Sequence, residues 1–492
     1  MTTLAAARKW TDATQTARKK LVKQTGVRTS ELNRLTYWDP VKNVVLGIMH
    51  NWFEGVLQHH FRYRWGINGN IDKQTDSDAK ESEAGTSDYL TEEVTENDDE
   101  EENVSPGRSF WNIEQKKKLI SCVREVVVPT GVTQMPIGLG TAKNGKLKAS
   151  EWHTLFAIHL PLAAVSVFVD SEPIENCLAK NEEAIENFIA VVRCTNIVGL
   201  DKVRKEDSEN FTLEYSKYTS SAANIFPNIK ILPNHHYALH IPDQMRWWGP
   251  LLAVSEFPGE RLIGKLQKCK TNRNTKQTPM TVMEKFCQAQ RLQALHGLDC
   301  ALAEEKSTRG GAKFELSEGA YHEILGFCRQ ATPDLRSCGD LPHPDGAKVM
   351  FTLAKEVHGW DCGRGLRISK HTPNNMIQYD TTDGHAAYGQ VTDVIQVTGY
   401  GWAGTTIIQL LPARELQHSN CLGDILRRVS VLHVQLGTPR YIYPSQVVGP
   451  IAYRPLPAWT LRSSRLSYLI RPLTGLSETL WPVNDDAMII DL

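Results

Sequence analysis

The spacing of the apolar residues changes near Ser337, and this change constrains the fold of the 492-residue chain more than any other feature. Upstream, apolar side chains recur at helical spacing, as they do over 174–192. Downstream, apolar and polar residues alternate in short runs separated by turn residues; the runs cover 348–353, 389–397, 405–411, 428–434 and 440–442. Helical spacing predicts helices, and alternation predicts strands with one buried face. We therefore expect an α+β chain, mainly helical, that ends in a small antiparallel β barrel or sandwich.

Composition narrows the class of protein. A net charge of −1, with 41% hydrophobic and 23% charged residues, excludes a wholly disordered chain and a uniformly basic nucleic-acid coat. The ten cysteines form no C-x-x-C pair, which argues against a zinc ribbon and favours a reducing compartment. The most apolar stretch, 153–169, is shorter than the ~20 residues of a membrane span. No phosphate-binding G-x-x-x-x-G-K-[ST] loop occurs. We expect an intracellular protein with neither a membrane nor a nucleotide partner.

Charge is distributed unevenly along the chain. Residues 1–34 carry eight Lys or Arg against two acids, which predicts either a solvated amphipathic helix or a basic arm for nucleic acid or nuclear import. Residues 70–104 hold fourteen Asp or Glu against two Lys. Such a block cannot offset its ordering entropy by burial, so we expect a disordered acidic insertion over 67–110. A tail that binds histones or other basic proteins is the alternative.

Two neighbourhoods hold candidate chemistry. Glu260 and Arg261 begin a helical pattern, and six Lys or Arg without any acid follow over 261–276. This pattern suits either a site facing a phosphate backbone or a solvated helix face. Elsewhere, His236 and His240 have the i, i+4 spacing of a metal pair, but Tyr237 stands where a hydrolytic zinc helix needs Glu. For these histidines we expect packing or hydrogen bonding.

Three separated blocks carry a resemblance to a known family. They are YWDPVKNVVLGIMHNWFEGVLQHHFRYRWGI (37–67), GKLKASEWHTLFAIHLPLA (145–163) and LPNHHYALHIPDQMRWWGPLLAVSEFPGERLIGKLQ (232–267). In order and spacing they resemble the C-terminal part of CACTA-type (En/Spm-like) DNA transposases, particularly fungal transposon-derived copies. The resemblance implies a partial RNase H-like core, interrupted by a helical insertion, and a catalytic site in which three acids hold two divalent metals such as Mg²⁺ or Mn²⁺.

The family boxes map onto this chain residue by residue. The second acid stands in a D-x-M-H-N box at the end of an apolar strand, which corresponds to the β-like run over 44–48. Here Gly47 takes the Asp position, while Met49, His50 and Asn51 match. The third acid, in a P-x-E-R-like box, maps onto Glu260. No strand with a first acid is found before the box. A single carboxylate cannot hold two hard cations, so we expect no bound metal and no cofactor.

These observations predict a domain order and a function. The predicted units are a basic arm (1–34), a strand–helix piece of the core (35–66), the acidic insertion (67–110), a helical insertion (111–231), a helical region completing the core (232–335), the β module (336–480) and a tail (481–492). The predicted function is that of a truncated, catalytically inactive transposase-like protein with residual non-specific DNA binding in the nucleus. Its candidate DNA-binding residues are Arg18, Lys19, Lys20, Lys23, Arg261, Lys265, Lys268, Lys270, Arg273 and Lys276.

Three alternatives stay open. In the first, the chain is an active nuclease or transposase of the three-acid (DDE) type, completed by a partner chain or by sequence upstream of the present Met1, with Glu260 as a metal ligand. In the second, it is a non-functional relic. In the third, it is a protein-interaction module, whose partners the sequence does not identify.

Overall fold

The computed structural model describes nine stretches of the chain: 3–39, 42–67, 110–140, 147–169, 173–269, 277–293, 311–362, 366–418 and 420–473. Residues 68–109 of the predicted acidic insertion lie outside these stretches, as do Lys270, Arg273, Lys276 and the predicted tail. The two flanks of the acidic segment lie side by side: the rings of Trp65 and Trp111 are 5.6 Å apart between centroids. The described residues on either side of the segment therefore meet at one place.

Helices occupy most of the chain before residue 300. The α-helices are α1 (Thr3–Thr11), α2 (Gln15–Thr25), α3 (Ile113–Arg124), α4 (Ala149–Thr154), α5 (Leu160–Ala163), α6 (Val165–Phe168), α7 (Ile174–Lys180), α8 (Glu182–Val198), α9 (Lys205–Ile225), α10 (Pro233–Tyr237), α11 (Ile241–Trp248), α12 (Phe257–Gln267), α13 (Thr278–Gln293), α14 (Glu318–Ala331) and α15 (Asn420–Arg428). Three π-helices are Met49–Leu57, His60–Arg64 and Leu155–His159, and 3₁₀ turns are Glu31–Arg34, Ala238–His240, Leu251–Val254 and Pro444–Gln446. None of the described helices is long and apolar enough to cross a membrane.

The apolar stripe that predicts a helix over 52–61 is confirmed. Trp52, Phe53, Val56 and Leu57 are fully buried in the main core, together with side chains of α4, α8 and α9. Both π-helices of this stretch use the wider i→i+5 hydrogen bonding, which is found mainly at functional sites.

The predicted strand over 44–48 is wrong. The backbone N–H of Leu46 donates to Oε1 of Gln244 at 3.3 Å, and the amide nitrogen of the same side chain lies 3.5 Å from the Val44 carbonyl. These backbone groups thus bond a side chain of α11 instead of a neighbouring strand. The described residues of 35–66 and 232–293 contain helices and no strand, so the RNase H-like core stays a prediction.

The C-terminal β-rich module is confirmed as a mainly antiparallel sheet. Its strands are β1 (Lys313–Glu315), β2 (Arg336–Ser337), β3 (Val349–Glu356), β6 (Met376–Asp380), β7 (Ala386–Tyr400), β8 (Thr405–Glu415), β9 (Leu432–Leu436), β10 (Arg440–Ile442), β11 (Val447–Pro450), β12 (Ala452–Leu456) and β13 (Ser467–Arg471), with β4 (Trp360–Asp361) and β5 (Arg367–Ile368) in a separate hairpin. The main path runs β1-β3-β7-β8-β9-β13-β12.

Two features of this sheet differ from the prediction. The path has two free ends, β1 and β12, so among the described residues it forms no closed barrel. It also begins before residue 336, because β1 pairs with β3 in the register Phe314↔Ala354. Helix α14 covers this end of the sheet, and the Tyr321 hydroxyl donates to the carbonyl of Met350 at 2.8 Å.

The sheet and the helical part share one core. Leu456 of β12 and Leu469 of β13 are fully buried within the helical core cluster. Arg454 of β12 is 5% exposed, and its guanidinium donates to a carboxylate oxygen of Glu125 at 2.9 Å and to Oγ of Ser166 at 2.9 Å. The β module is therefore anchored to the helices by a buried cation.

Candidate catalytic-box site

The two boxes that carry the resemblance meet in space. Nε2 of His50, at the start of the first π-helix, lies 3.7 Å from Oε1 of Glu260 in α12. Next to this pair, Nδ2 of Asn51 donates to the backbone carbonyl of Asn234 at 3.1 Å, and the Asn234 side chain lies 3.4 Å from the carbonyl of His50. Residues more than 180 positions apart in sequence thus form one surface.

The space beside Gly47 is filled from another element. A Cβ atom built on Gly47 would lie 1.8 Å from Oε1 of Glu256, and the other carboxylate oxygen accepts a hydrogen bond from the backbone N–H of Met49 at 3.3 Å. Glu256 precedes α12 and stands one helical turn before Glu260. Met49 begins the first π-helix. The first turn of a helix has backbone N–H groups without intrahelical partners, and a carboxylate stabilises them. The Glu256 carboxylate therefore stabilises the start of this helix, and it lies where a side chain at position 47 would begin.

The carboxylates around His50 are spread over two sides of its ring. Nδ1 of His50 lies 2.7 Å from Oε2 of Glu54, while Nε2 faces Glu260. The imidazole thus separates the two carboxylates, and the described residues contain no group of three His, Cys, Asp or Glu side chains placed to hold a metal ion. As arranged, the site can orient His50 between two anions. It does not gather the three-acid set that two-metal phosphoryl transfer requires.

Buried histidines lie behind this surface. Nδ1 of His59 is 3.0 Å from Nε2 of His235, and Nδ1 of His60 is 3.0 Å from the Tyr218 hydroxyl. Burial lowers the pKa of His59 to about 4 and that of His235 to about 3, and it holds the pKa of His60 well below its usual value. His235 is thus packed and hydrogen-bonded. For His236 and His240, however, the expectation of packing or hydrogen bonding is wrong: both side chains are exposed, with ring centroids 5.4 Å apart.

A buried cation accompanies these histidines. Arg64 is 7% exposed, and its guanidinium carbon lies 4.9 Å from the centre of the Tyr218 ring. Its charge further disfavours protonation of His59, His60 and His235. The histidines of this cluster therefore act as neutral structural groups at pH 7.

A basic and aromatic surface adjoins the boxes. Lys265 and Lys268, at the end of α12, are exposed, and Arg261 is half-buried on the same helix. Trp247 and Trp248 are 40% and 37% exposed. Nε1 of Trp248 donates to the backbone carbonyl of Lys42 at 3.1 Å, which holds the indole beside the box segment. These tryptophans are surface residues and not part of the core.

Of the four candidate DNA-binding cations in the basic arm, one is structural and three are exposed. Nε of Arg18 donates to the carbonyl of Trp10 at 3.1 Å, and its guanidinium carbon stacks 4.4 Å from the centre of that indole ring. Arg18 thus ties α2 to α1. Lys19, Lys20 and Lys23 are exposed on α2, and the other cations of the arm, Arg8, Lys9, Arg28 and Arg34, are exposed as well.

Sequence reasoning missed two acids of the site. Glu54 stands four residues after His50, the i, i+4 spacing at which helical side chains meet, so this pair was available from the sequence. Glu256 stands four residues before Glu260, but its contact with Gly47 spans more than 200 residues. No local pattern signals such a contact.

Comparison of the chain with protein-family models, with curated proteins and with solved structures finds no match. The functional argument therefore rests on the residues of this chain and on their geometry.

Proposed function

We propose that this chain is a transposon-derived, CACTA-transposase-like protein that has lost strand-transfer chemistry and retains non-specific DNA binding in the nucleus. The observation that carries the proposal is the contact between the two boxes, His50 with Glu260 at 3.7 Å. A transposase of this type needs its second and third acids in one site, and here the two boxes converge although some 200 residues separate them. In this proposal the helices around the boxes are what remains of an RNase H-like core.

The loss of chemistry follows from the acids. Position 47 is a glycine and supplies no carboxylate. Glu260 contacts His50, and its carboxylate is otherwise exposed to solvent. Glu256 accepts a hydrogen bond from the backbone N–H of Met49. In-line displacement at a phosphate needs carboxylates that clamp two cations about 3.5–4 Å apart. We expect no Mg²⁺- or Mn²⁺-dependent cleavage or joining of DNA, and Gly47→Asp alone is not expected to restore it. Divalent-dependent nicking that Glu260→Ala abolishes would overturn this part and would favour an enzyme completed by a partner chain.

DNA binding is supported by the exposed lysines of α12 and by the two exposed indoles next to it. Cationic side chains bind DNA by releasing condensed counterions, and indoles stack on unpaired bases. We expect a Kd on the order of 10⁻⁴–10⁻⁶ M at physiological salt, with no dependence on sequence. In the sequence, the basic run continues after α12 with Lys270, Arg273 and Lys276, which lie outside the described residues.

The test is a DNA titration at several salt concentrations. Charge reversal at Lys265, Lys268, Lys270 and Arg273 is expected to weaken binding and to flatten the salt slope by about 0.9 for each lost phosphate contact. The matched control reverses Lys180 and Lys202, two exposed lysines outside α12. If both variants behave like the wild type, the surface does not bind DNA, and the relic reading stands.

Two further measurements separate the parts of the surface. Trp247→Ala with Trp248→Ala should weaken binding to single strands more than to duplexes, since only unpaired bases offer faces for stacking. Deletion of 70–104 removes fourteen acids and two lysines, and it should tighten binding because these acids compete for the same cations. Unchanged affinity after the deletion would contradict this competition.

A further inference from the structure

A cleft lies between the β module and α7, far in sequence from the boxes. It encloses about 300 Å³. Its apolar walls are Ile174, Leu416, Leu422 and Leu461, and its polar walls, which are the larger set, are Gln417, His418, Gln435, Arg462, Ser463 and Ser464. A ligand in a cleft of this composition would bind mainly through hydrogen bonds, with the apolar side chains as a smaller contact.

A hydrogen-bonded chain leads from the buried sheet to the cleft. Oγ of Ser467, which is fully buried, lies 2.8 Å from Nε2 of His433, and Nδ1 of His433 lies 2.7 Å from Nε2 of His418. The two imidazole planes are inclined by only 4°. A neutral imidazole has one N–H, so His433 donates to one neighbour and accepts from the other. The chain therefore fixes the ring of His418 at the cleft wall.

This chain lets His418 act as donor or acceptor without any net charge. When Ser467 donates to His433 and His433 donates to His418, Nδ1 of His418 carries the proton and donates into the cleft. When all bonds reverse, Nδ1 accepts instead. Burial lowers the pKa of His418, and it lowers that of His433 to about 4, so both rings are neutral at pH 7. Among the described residues, no other group bonds the His418 ring.

The remaining polar groups of the cleft are also neutral as a set. Nε2 of Gln435 donates to Oγ of Ser463 at 2.8 Å. Among the described residues of the lining the only cation is Arg462, which is paired with Glu175 at 2.7 Å. An anionic ligand would therefore meet an Arg462 whose charge is already balanced by Glu175. A neutral ligand with hydrogen-bond donors and acceptors can bond the donor and acceptor groups of His418 and Gln435.

The loop that supplies Leu461 and Arg462 has an unusual backbone. Trp459, Leu461 and Arg462 have φ of 68°, 48° and 63°, in the left-handed region that side chains with a Cβ rarely adopt. Such conformations persist only where surrounding contacts enforce them, and they concentrate at binding sites. The loop presents Trp459 to solvent with 82% of its surface exposed.

We propose that this cleft binds a neutral, hydrogen-bonding heterocycle of nucleoside size, bonded to His418 and Gln435 and in contact with Leu422 and Leu461. A volume of about 300 Å³ is at the lower end of the range for ligand sites, which suits a single small molecule of this size. The inference does not rest on the DNA-binding proposal, because none of the basic residues of that surface lines the cleft.

The first experiment measures binding of adenosine to the full chain by calorimetry. We expect one saturable site, a loss of at least tenfold in affinity for His418→Ala, and no detectable binding for Leu461→Trp, which fills the cleft. His322→Ala, an exposed histidine on α14, is the matched control and should bind like the wild type. Thermal unfolding of each variant shows whether it is folded, and Gln435→Leu, which removes only the amide, serves if Leu461→Trp is not.

Two more probes identify the class and the source of the heterocycle. Benzoate, an aromatic anion, should not displace adenosine, and displacement by benzoate would contradict the preference for a neutral ligand. A single-stranded thymidine oligonucleotide with one adenine, compared with its abasic analogue, distinguishes an unpaired base from a free nucleoside: preference for the adenine strand assigns the site to a strand, and exclusion of both strands assigns it to a free nucleoside. Absence of saturable binding by adenosine and by the adenine strand would overturn the inference, as would adenosine affinity that His418→Ala leaves unchanged.

Discussion

The contact between Gly47 and Glu256 makes a quantitative prediction about coupled substitutions. In Gly47→Ala, the new Cβ would lie 1.8 Å from Oε1 of Glu256 and 3.0 Å from its Cδ, so the carboxylate must move away. It then loses the bond to the Met49 N–H, which the structure holds at 3.3 Å. The end of the Glu256 side chain is flexible, so the cost is that of the lost bond rather than of a backbone shift. A bond from a backbone donor to a charged acceptor contributes about 1.5–3 kcal/mol.

The assay is a double-mutant cycle in urea unfolding. Gly47→Ala alone should lower the free energy of unfolding by about 1–2 kcal/mol, which is the cost of the lost bond less the gain of about 0.4–1 kcal/mol from restricting the unfolded chain, and Glu256→Ala alone by about 1.5–3 kcal/mol, the cost of the same bond without that gain. With Glu256 already truncated, adding Gly47→Ala should cost nothing and should stabilise by about 0.4–1 kcal/mol, because alanine restricts the unfolded chain. The two substitutions should therefore be coupled by more than about 1 kcal/mol.

A control and a contrary result complete the cycle. Gly264→Ala makes the same change in α12, where a Cβ meets nothing within 4 Å, and it should stabilise by about 0.5–1 kcal/mol. If the effects of Gly47→Ala and Glu256→Ala add within about 0.5 kcal/mol, the carboxylate does not occupy the space at position 47, and the reasoning fails.

Two other predictions concern stability. Burial lowers the pKa of His153, His159 and His235 to about 3, so below pH 6.5 the unfolded chain takes up protons that the folded chain does not. Stability should be full above pH 6.5 and should fall towards pH 3 by up to about 1.4 kcal/mol per pH unit for each histidine; a urea midpoint constant between pH 7 and pH 5 would contradict this. Arg454→Met removes the buried cation that joins the β module to the helices, and it should cost about 2–4 kcal/mol, measured by urea unfolding. Arg34→Met, which breaks an exposed pair with Glu31, is its control and should leave the midpoint unchanged.

The α+β class was predictable because the burial pattern repeats locally. Trp52, Phe53, Val56 and Leu57 face one core, and a helix is the only regular structure that turns this spacing inward. The alternating runs became β3, β7, β8 and their neighbours for the same reason, since a strand turns every second side chain to one face.

The prediction of a strand over 44–48 was wrong because an apolar run indicates which side chains are buried, but not which groups its backbone N–H and C=O bond. Gln244 supplies the partners of Leu46 from nearly 200 residues away. The closed barrel failed for a related reason: whether the edge strands β1 and β12 pair with each other depends on the whole sheet, and no local pattern records it.

The candidate site also contains residues that the sequence predicted and residues that only the structure shows. The resemblance named His50 and Glu260, and the structure brings both into one surface. Glu256 was invisible because its effect is to fill a space that appears only when two distant segments pack. The role proposed for His418 could not be predicted from the sequence either, because its ring is held by hydrogen bonds through His433 to Ser467, which lie on two other segments.

The contact between Gly47 and Glu256 has a consequence for the substitutions open to this chain. A side chain at position 47 and the Glu256 carboxylate in its present place compete for one space, because a Cβ at position 47 would lie 1.8 Å from Oε1 of Glu256. An acid introduced at position 47 therefore displaces the Glu256 carboxylate from the Met49 N–H and adds a second negative charge beside it. The effect of an acid at position 47 thus depends on the residue at position 256, and the order in which the two positions change affects the stability of the intermediate.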